Sequence, residues 1–114
     1  MGLVAALLWP AAQATAAELV MVDRPGCPYC IEWEEKIGPI YPKTEAGIFA
    51  PLRHVDISDA PPPDLRFARG VVFTPTFVLI ENGEEIGRIE GYPGEDFFWA
   101  LLEKLLRERT DFAG

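Results

Sequence analysis

Apolar positions fall into short blocks separated by turn residues. Residues 18–23, Glu-Leu-Val-Met-Val-Asp, run into Arg24-Pro25-Gly26 and read as a buried strand stopped by a turn. From Cys27 to about Ile37 the spacing predicts a helix. Cys30, Trp33, Glu34 and Ile37 share one of its faces, and Glu32 and Lys36 pair at i,i+4 on the other. Gly38-Pro39 ends it, and residues 38–51, with prolines at 39, 42 and 51, predict a connection of irregular or 3₁₀ structure. Residues 52–57 predict a second strand. Pro61-Pro62-Pro63 then leads into a short helix over 64–69, with Asp64 as N-cap and Gly70 closing it. Residues 76–80 and 85–90 flank Asn82-Gly83, a two-residue hairpin signal that makes the two strands antiparallel neighbours. Pro93-Gly94-Glu95-Asp96 opens a last helix with acids at its positive end and Arg107 and Arg109 at its negative end. Its apolar stripe is Phe97, Phe98, Leu101, Leu102 and Leu105. Trp99 and Leu106 lie off that stripe and read either as helix-edge packing or as a small exposed docking edge. The order β-α-β-α-β-β-α predicts an α/β domain: one four-stranded mixed sheet with helices on its faces.

Charge narrows the function. Eighteen acidic against ten basic residues give a formal net charge of −8 over 114 residues, the wrong sign for neutralising phosphates, so neither nucleic acid nor an anionic membrane is expected as a partner. Every charged side chain lies from Glu18 onward. Before it, residues 3–9 form a short apolar block, Pro10 ends that block, and Ala14-Thr15-Ala16 gives a small-x-small cleavage pattern. Residues 1–16 therefore read as a signal peptide cleaved before Ala17, although no basic side chain precedes Leu3, and residues 17–114 as one exported domain. Export points to the periplasm, where disulfides persist.

The two cysteines, Cys27 and Cys30, enclose too short a loop to staple a fold, so the pair reads as chemical. With Cys27 at the helix N-cap, Pro28 occupies the first helical position, where its missing N–H costs nothing, and the Tyr29 and Cys30 N–H groups point back at the Cys27 sulfur. A thiolate there is favoured by the macrodipole, by those donors and by Arg24 three residues upstream. Cys27, exposed at the tip, is expected to attack a partner disulfide, and Cys30, one turn inside, to resolve the mixed disulfide. Two cysteines that merely pack are the plainer alternative. No metal site is expected: the lone His54 reads as an ordinary strand residue, and zinc needs more ligands than the pair provides.

These residues resemble the thioredoxin superfamily across the whole of 17–114. Arg24-Pro25-Gly26-Cys27-Pro28-Tyr29-Cys30 is similar to the glutaredoxin active-site segment, and Val71-Val72-Phe73-Thr74-Pro75-Thr76-Phe77 resembles the family's second signature. The resemblance implies a thioredoxin fold and a cis Pro75 against the disulfide. It also implies that Thr74 offers its backbone to a bound client segment, and that Gly91 and Tyr92 stand at the groove rim. Read without it, Gly91 is an ordinary turn residue. Two departures matter. Thioredoxins place a buried Asp six residues before the first cysteine, where this chain has Met21, so Glu34, on the Cys30 face, becomes the candidate for proton transfer. The glutaredoxin Gly-Gly turn for glutathione has no good counterpart in residues 90–96.

The leader, the signature and Gly91-Tyr92 together look most similar to small periplasmic thioredoxins of bacterial sulfur-oxidation (Sox) systems. That likeness implies a monomeric thiol–disulfide oxidoreductase, needing no cofactor beyond the Cys27–Cys30 disulfide. It would keep a client cysteine, such as that of the Sox sulfur carrier, free of blocking disulfides, with electrons from a membrane thiol transporter. Glutaredoxin-like sites lie near about −200 to −230 mV, which leaves the physiological direction open between reductase, isomerase and oxidase. Two other readings stay open: a copper-binding thioredoxin-fold module with the cysteines as Cu(I) ligands, and a cytosolic glutaredoxin.

Overall fold

A computed structural model describes Gly2 and residues 17–114; the rest of the predicted leader lies outside the described residues. Strands β1 (Ala17–Asp23), β2 (Leu52–Asp56), β3 (Thr76–Glu81) and β4 (Glu84–Glu90) form one sheet in the order β2-β1-β3-β4. β1 pairs parallel with β2 and antiparallel with β3, and β3 pairs antiparallel with β4. The sheet is mixed, as its sequence predicts. At the hairpin, Asn82 and Gly83 take φ of 54° and 81°, the left-handed conformations that a two-residue turn needs and that these two residue types accept. No helix among the described residues is long and apolar enough to cross a membrane.

The helices are α1 (Pro28–Lys36), α2 (Glu45–Phe49) and α3 (Glu95–Arg109). All three pack on one face of the sheet. There Leu19, Met21, Phe77, Leu79 and Ile89 meet Cys30 and Trp33 of α1, Ala46 of α2, and Phe98, Leu102 and Leu106 of α3. The opposite face, built from Val20, Val22, Val55, Val78 and Ile80, carries no α-helix among the described residues. It is covered by Leu65, with Ile57, Ala60, Phe67 and Val71 around it. This corrects the predicted element order: the second α-helix precedes β2, and between β2 and β3 the described chain has only a 3₁₀ turn at Ile57–Asp59.

Both parts of that correction have local causes. Residues 38–51 do contain the expected 3₁₀ turn, at Tyr41–Lys43, but then form α2. Thr44 caps α2 by accepting from the Gly47 N–H at 3.0 Å, and the buried Tyr41 donates its hydroxyl to the Ala50 carbonyl at 2.6 Å. In the predicted helix 64–69, Asp64 caps nothing: its carboxylate takes a bidentate bond from Arg53 at 2.7 and 2.9 Å. Arg66 instead pairs with the hairpin turn, donating its N–H to Gly83 O at 2.7 Å and accepting from Glu85 N at 2.8 Å. Those bonds hold the backbone extended, and the Ala60–Pro61 peptide just upstream is cis.

α3 is also rotated from the predicted stripe. Phe97 is 68% exposed and Leu101 41%, whereas Leu106, expected at the edge, is fully buried. Trp99 is packing, not an exposed edge: its ring stacks on Tyr41 with centroids 6.0 Å apart. Docking the helix against Tyr41 and α2, which no periodicity reveals, selects this face.

Candidate active site

β1 delivers the chain through Arg24-Pro25-Gly26 to Cys27, which is the N-cap of α1 with Pro28 at the first helical position. The Cys27 sulfur accepts from the Cys30 N–H at 3.2 Å, so a sulfur occupies the place of a capping oxygen. Cys27 and Cys30 form a disulfide, with Cα atoms 5.2 Å apart. Trp33 and Ile37, fully buried on the same face of α1, hold the Cys30 side of the helix to the sheet.

Cys27 is not exposed as its place at the tip suggests; only 2% of the residue is accessible. It lies in a groove of about 300 Å³ lined by Arg24, Pro28 and Tyr29 around the start of α1, by Val72, Phe73 and Thr74 of the loop before β3, and by Ile57. A client sulfur must enter that groove to reach it. Its walls present exposed apolar area, Tyr29 at 60%, Val72 at 72% and Phe73 at 59%. Sequence reasoning placed Val72 and Phe73 in the second signature and Ile57 at a strand end but gave none of them a role at the site. The available signal was two large apolar residues directly before Thr74-Pro75 and outside any strand pattern.

The Thr74–Pro75 peptide is cis and Pro75 is buried. Among the described residues no hydrogen bond engages the Thr74 backbone. The loop is held downstream, where Thr76 Oγ1 donates to Phe73 O at 2.7 Å and the Gly91 N–H donates to Pro75 O at 2.7 Å. Gly91 makes that bond at φ 86°, a conformation favouring glycine, so its place is behind the loop. Tyr92 is not at the groove rim. Its hydroxyl is buried without a hydrogen-bond partner among the described residues, and its ring meets Phe98 edge-on at 6.4 Å. Burial, then the Glu95 carboxylate, raises the pKa of that hydroxyl.

Glu34 lies on α1 one turn past Cys30, but its carboxylate is engaged elsewhere. Oε1 sits 3.1 Å from His54 Nε2, while His54 Nδ1 sits 3.1 Å from Asp23. Among the described residues no hydrogen bond joins Glu34 to either sulfur, so the proton-transfer role suggested by its helix position finds no contact here. His54 is a strand residue, as expected, but stands between two carboxylates. Met21 is fully buried in the same cluster as both cysteines.

A family model described as a thioredoxin-like domain matches residues 10–106. The crystal structure of the periplasmic thioredoxin SoxS from Paracoccus pantotrophus, in its reduced form, superposes with a TM-score of 0.78 at 49% identity, covering 81% of this chain and 97% of that one. A thioredoxin of Malassezia sympodialis, the allergen Mala s 13, has a TM-score of 0.52 at 22% identity over 80% of this chain and 76% of that one, a likeness of fold alone. No curated protein matches. With a disulfide at a helix start beside a cis-proline loop, and a domain match over most of its length, this chain belongs to the thioredoxin-like family and is a thiol–disulfide oxidoreductase.

Proposed function

We propose that the protein is a periplasmic disulfide reductase for client proteins, with Cys27 as attacking and Cys30 as resolving residue. The observation that carries this reading is the placement of the Cys27–Cys30 disulfide at the α1 N-terminus, with Cys27 lining a groove that also presents Tyr29, Val72 and Phe73. In the reduced protein the Cys27 thiolate attacks a client disulfide, and the departing client sulfur takes up a proton. The Cys30 thiolate then attacks the Cys27 sulfur, which releases the second client thiol and re-forms the Cys27–Cys30 disulfide. Two electrons pass to the client and must be restored by an external dithiol, for which we take a membrane thiol transporter.

The Thr74 backbone supplies an edge on which an extended client segment can pair, and Arg24, Pro28 and Tyr29 line the same groove. Pro75 and Gly91 hold that edge in place. No cofactor enters this scheme. The periplasmic setting is supported by the similarity to a periplasmic thioredoxin and by the leader pattern in residues 1–16. The Sox sulfur carrier is the client we propose on the same likeness.

A Cys30→Ser variant expressed in the native host should accumulate in mixed disulfide with its client through Cys27, and mass spectrometry should identify a cysteine-bearing periplasmic protein. The mature chain recovered should begin at Ala17. If Cys30→Ser captures nothing beyond what a Cys27→Ser/Cys30→Ser double variant captures, the client-reductase reading is wrong.

A further inference from the structure

The sheet face without an α-helix is closed by residues 57–71, a segment that beyond its one 3₁₀ turn must find partners for its backbone polar groups without helical bonds. Much of what it finds is on β4. Arg88 and Glu85, each with a side chain only 4% exposed, form a bidentate ion pair at 2.7 and 2.7 Å. The same guanidinium donates to Arg69 O at 2.8 Å and Gly70 O at 3.3 Å, and Glu85 Oε1 accepts from the Ala68 N–H at 2.9 Å. Burial works against ionising Glu85, but the Arg88 and Ala68 donors outweigh it and hold the carboxyl below its ordinary range. A buried pair of this kind often adds little stability over apolar side chains of similar volume. Its directional bonds fix the position of whatever they hold.

What they hold is the approach to the groove. The segment fastened at Ala68, Arg69 and Gly70 continues directly into Val71, Val72, Phe73 and Thr74, and the last three of these form one groove wall. At its far end the wall is tied by Thr76 and Gly91. Val71 and Val72 are thus slung between the bonds at Gly70 and the Thr76 bond to Phe73 O, so the upstream anchor sets how this part of the wall enters the groove.

We propose that the Glu85–Arg88 pair is a positioning device for client docking: it sets where Val72 and Phe73 stand over Cys27 without taking part in the sulfur chemistry. This rests on the reductase reading above. The test uses the whole mature protein with insulin as disulfide client and measures KM, kcat and the redox potential against glutathione for Arg88→Met and Arg88→Lys. Lys keeps the charge but cannot reproduce a planar fork that bridges a carboxylate and two carbonyls. Both variants should show KM raised about tenfold, the equivalent of about 1.4 kcal/mol of docking, with kcat and potential unchanged. Amides of residues 66–71 should exchange faster in both.

Wild-type KM in a folded Arg88→Lys would show that charge alone suffices and would overturn the proposal. So would a parallel shift of KM, kcat and potential, which marks general damage, or a lowered melting temperature with unchanged KM. Should Arg88→Met not fold, Arg88→Lys carries the same test. A wild-type protein unable to reduce insulin refutes the reductase reading, whereas an active wild type with indifferent variants refutes only this inference.

Discussion

Replacing Cys27 with serine should lower client-disulfide reduction by at least about three orders of magnitude, the scale on which removal of an attacking nucleophile is felt. The thiolate is the attacking species, and a serine hydroxyl does not ionise to replace it. The same substitution should leave the fold almost untouched. The Cys27 sulfur serves as N-cap acceptor for the Cys30 N–H at 3.2 Å, and a serine oxygen is among the best residues for that position. Loss of the disulfide removes a constraint on a very short loop, worth at most about 2 kcal/mol, and even this vanishes when the reference is reduced wild type. An insulin-reduction assay beside a thermal melt of both reduced proteins separates the two effects. Activity within tenfold of wild type would remove Cys27 from the attacking role, and a large drop in melting temperature would make it a structural residue.

The second large effect is on stability. Trp33→Ala should cost about 3–5 kcal/mol, because the indole is fully buried at the point where α1 meets the sheet and α3. Its ring lies 5.2 Å from Phe77, 5.6 Å from Phe98 and 6.0 Å from Tyr41, so one truncation opens a void that three aromatic neighbours cannot close together. Domains of this size are stable by only about 5–15 kcal/mol, and the variant should be partly unfolded at 37 °C. Trp33→Phe should cost far less. It keeps most of the ring packing and removes Nε1, which has no hydrogen-bond partner among the described residues. Urea unfolding of the two variants gives the comparison. A loss below about 1 kcal/mol for Trp33→Ala would mean that the helix carrying Cys30 is seated by something other than this cluster.

Much of the site was legible because its signals are local. Cys27-Pro28-Tyr29-Cys30 states a helix start in the residue types themselves, and the structure places N-cap, first-turn proline and buried inner cysteine accordingly. Asn82-Gly83 states a hairpin in the same way. Thr44 was an equally local signal for α2, a capping residue before Glu45-Ala46, but three nearby prolines masked it. What could not be read was which surfaces meet. Glu34 shares the Cys30 face by helix angle, yet it turns to His54, a residue twenty positions away on another element. Tyr92 follows Gly91 at the predicted rim, yet its partly buried ring packs against Phe98 at the edge of the core.

The sequence by itself determined the strand pattern, the hairpin, the capped redox pair and the family, because each follows from backbone preference and side-chain type within a few residues. Only the tertiary structure decided that all three helices crowd one sheet face. It also decided that Pro-rich chain fastened by a buried Glu85–Arg88 pair closes the other, and that Cys27 lies beneath an apolar wall. Those outcomes depend on side chains brought together from distant positions, where burial and charge pairing override the preferences of any single segment.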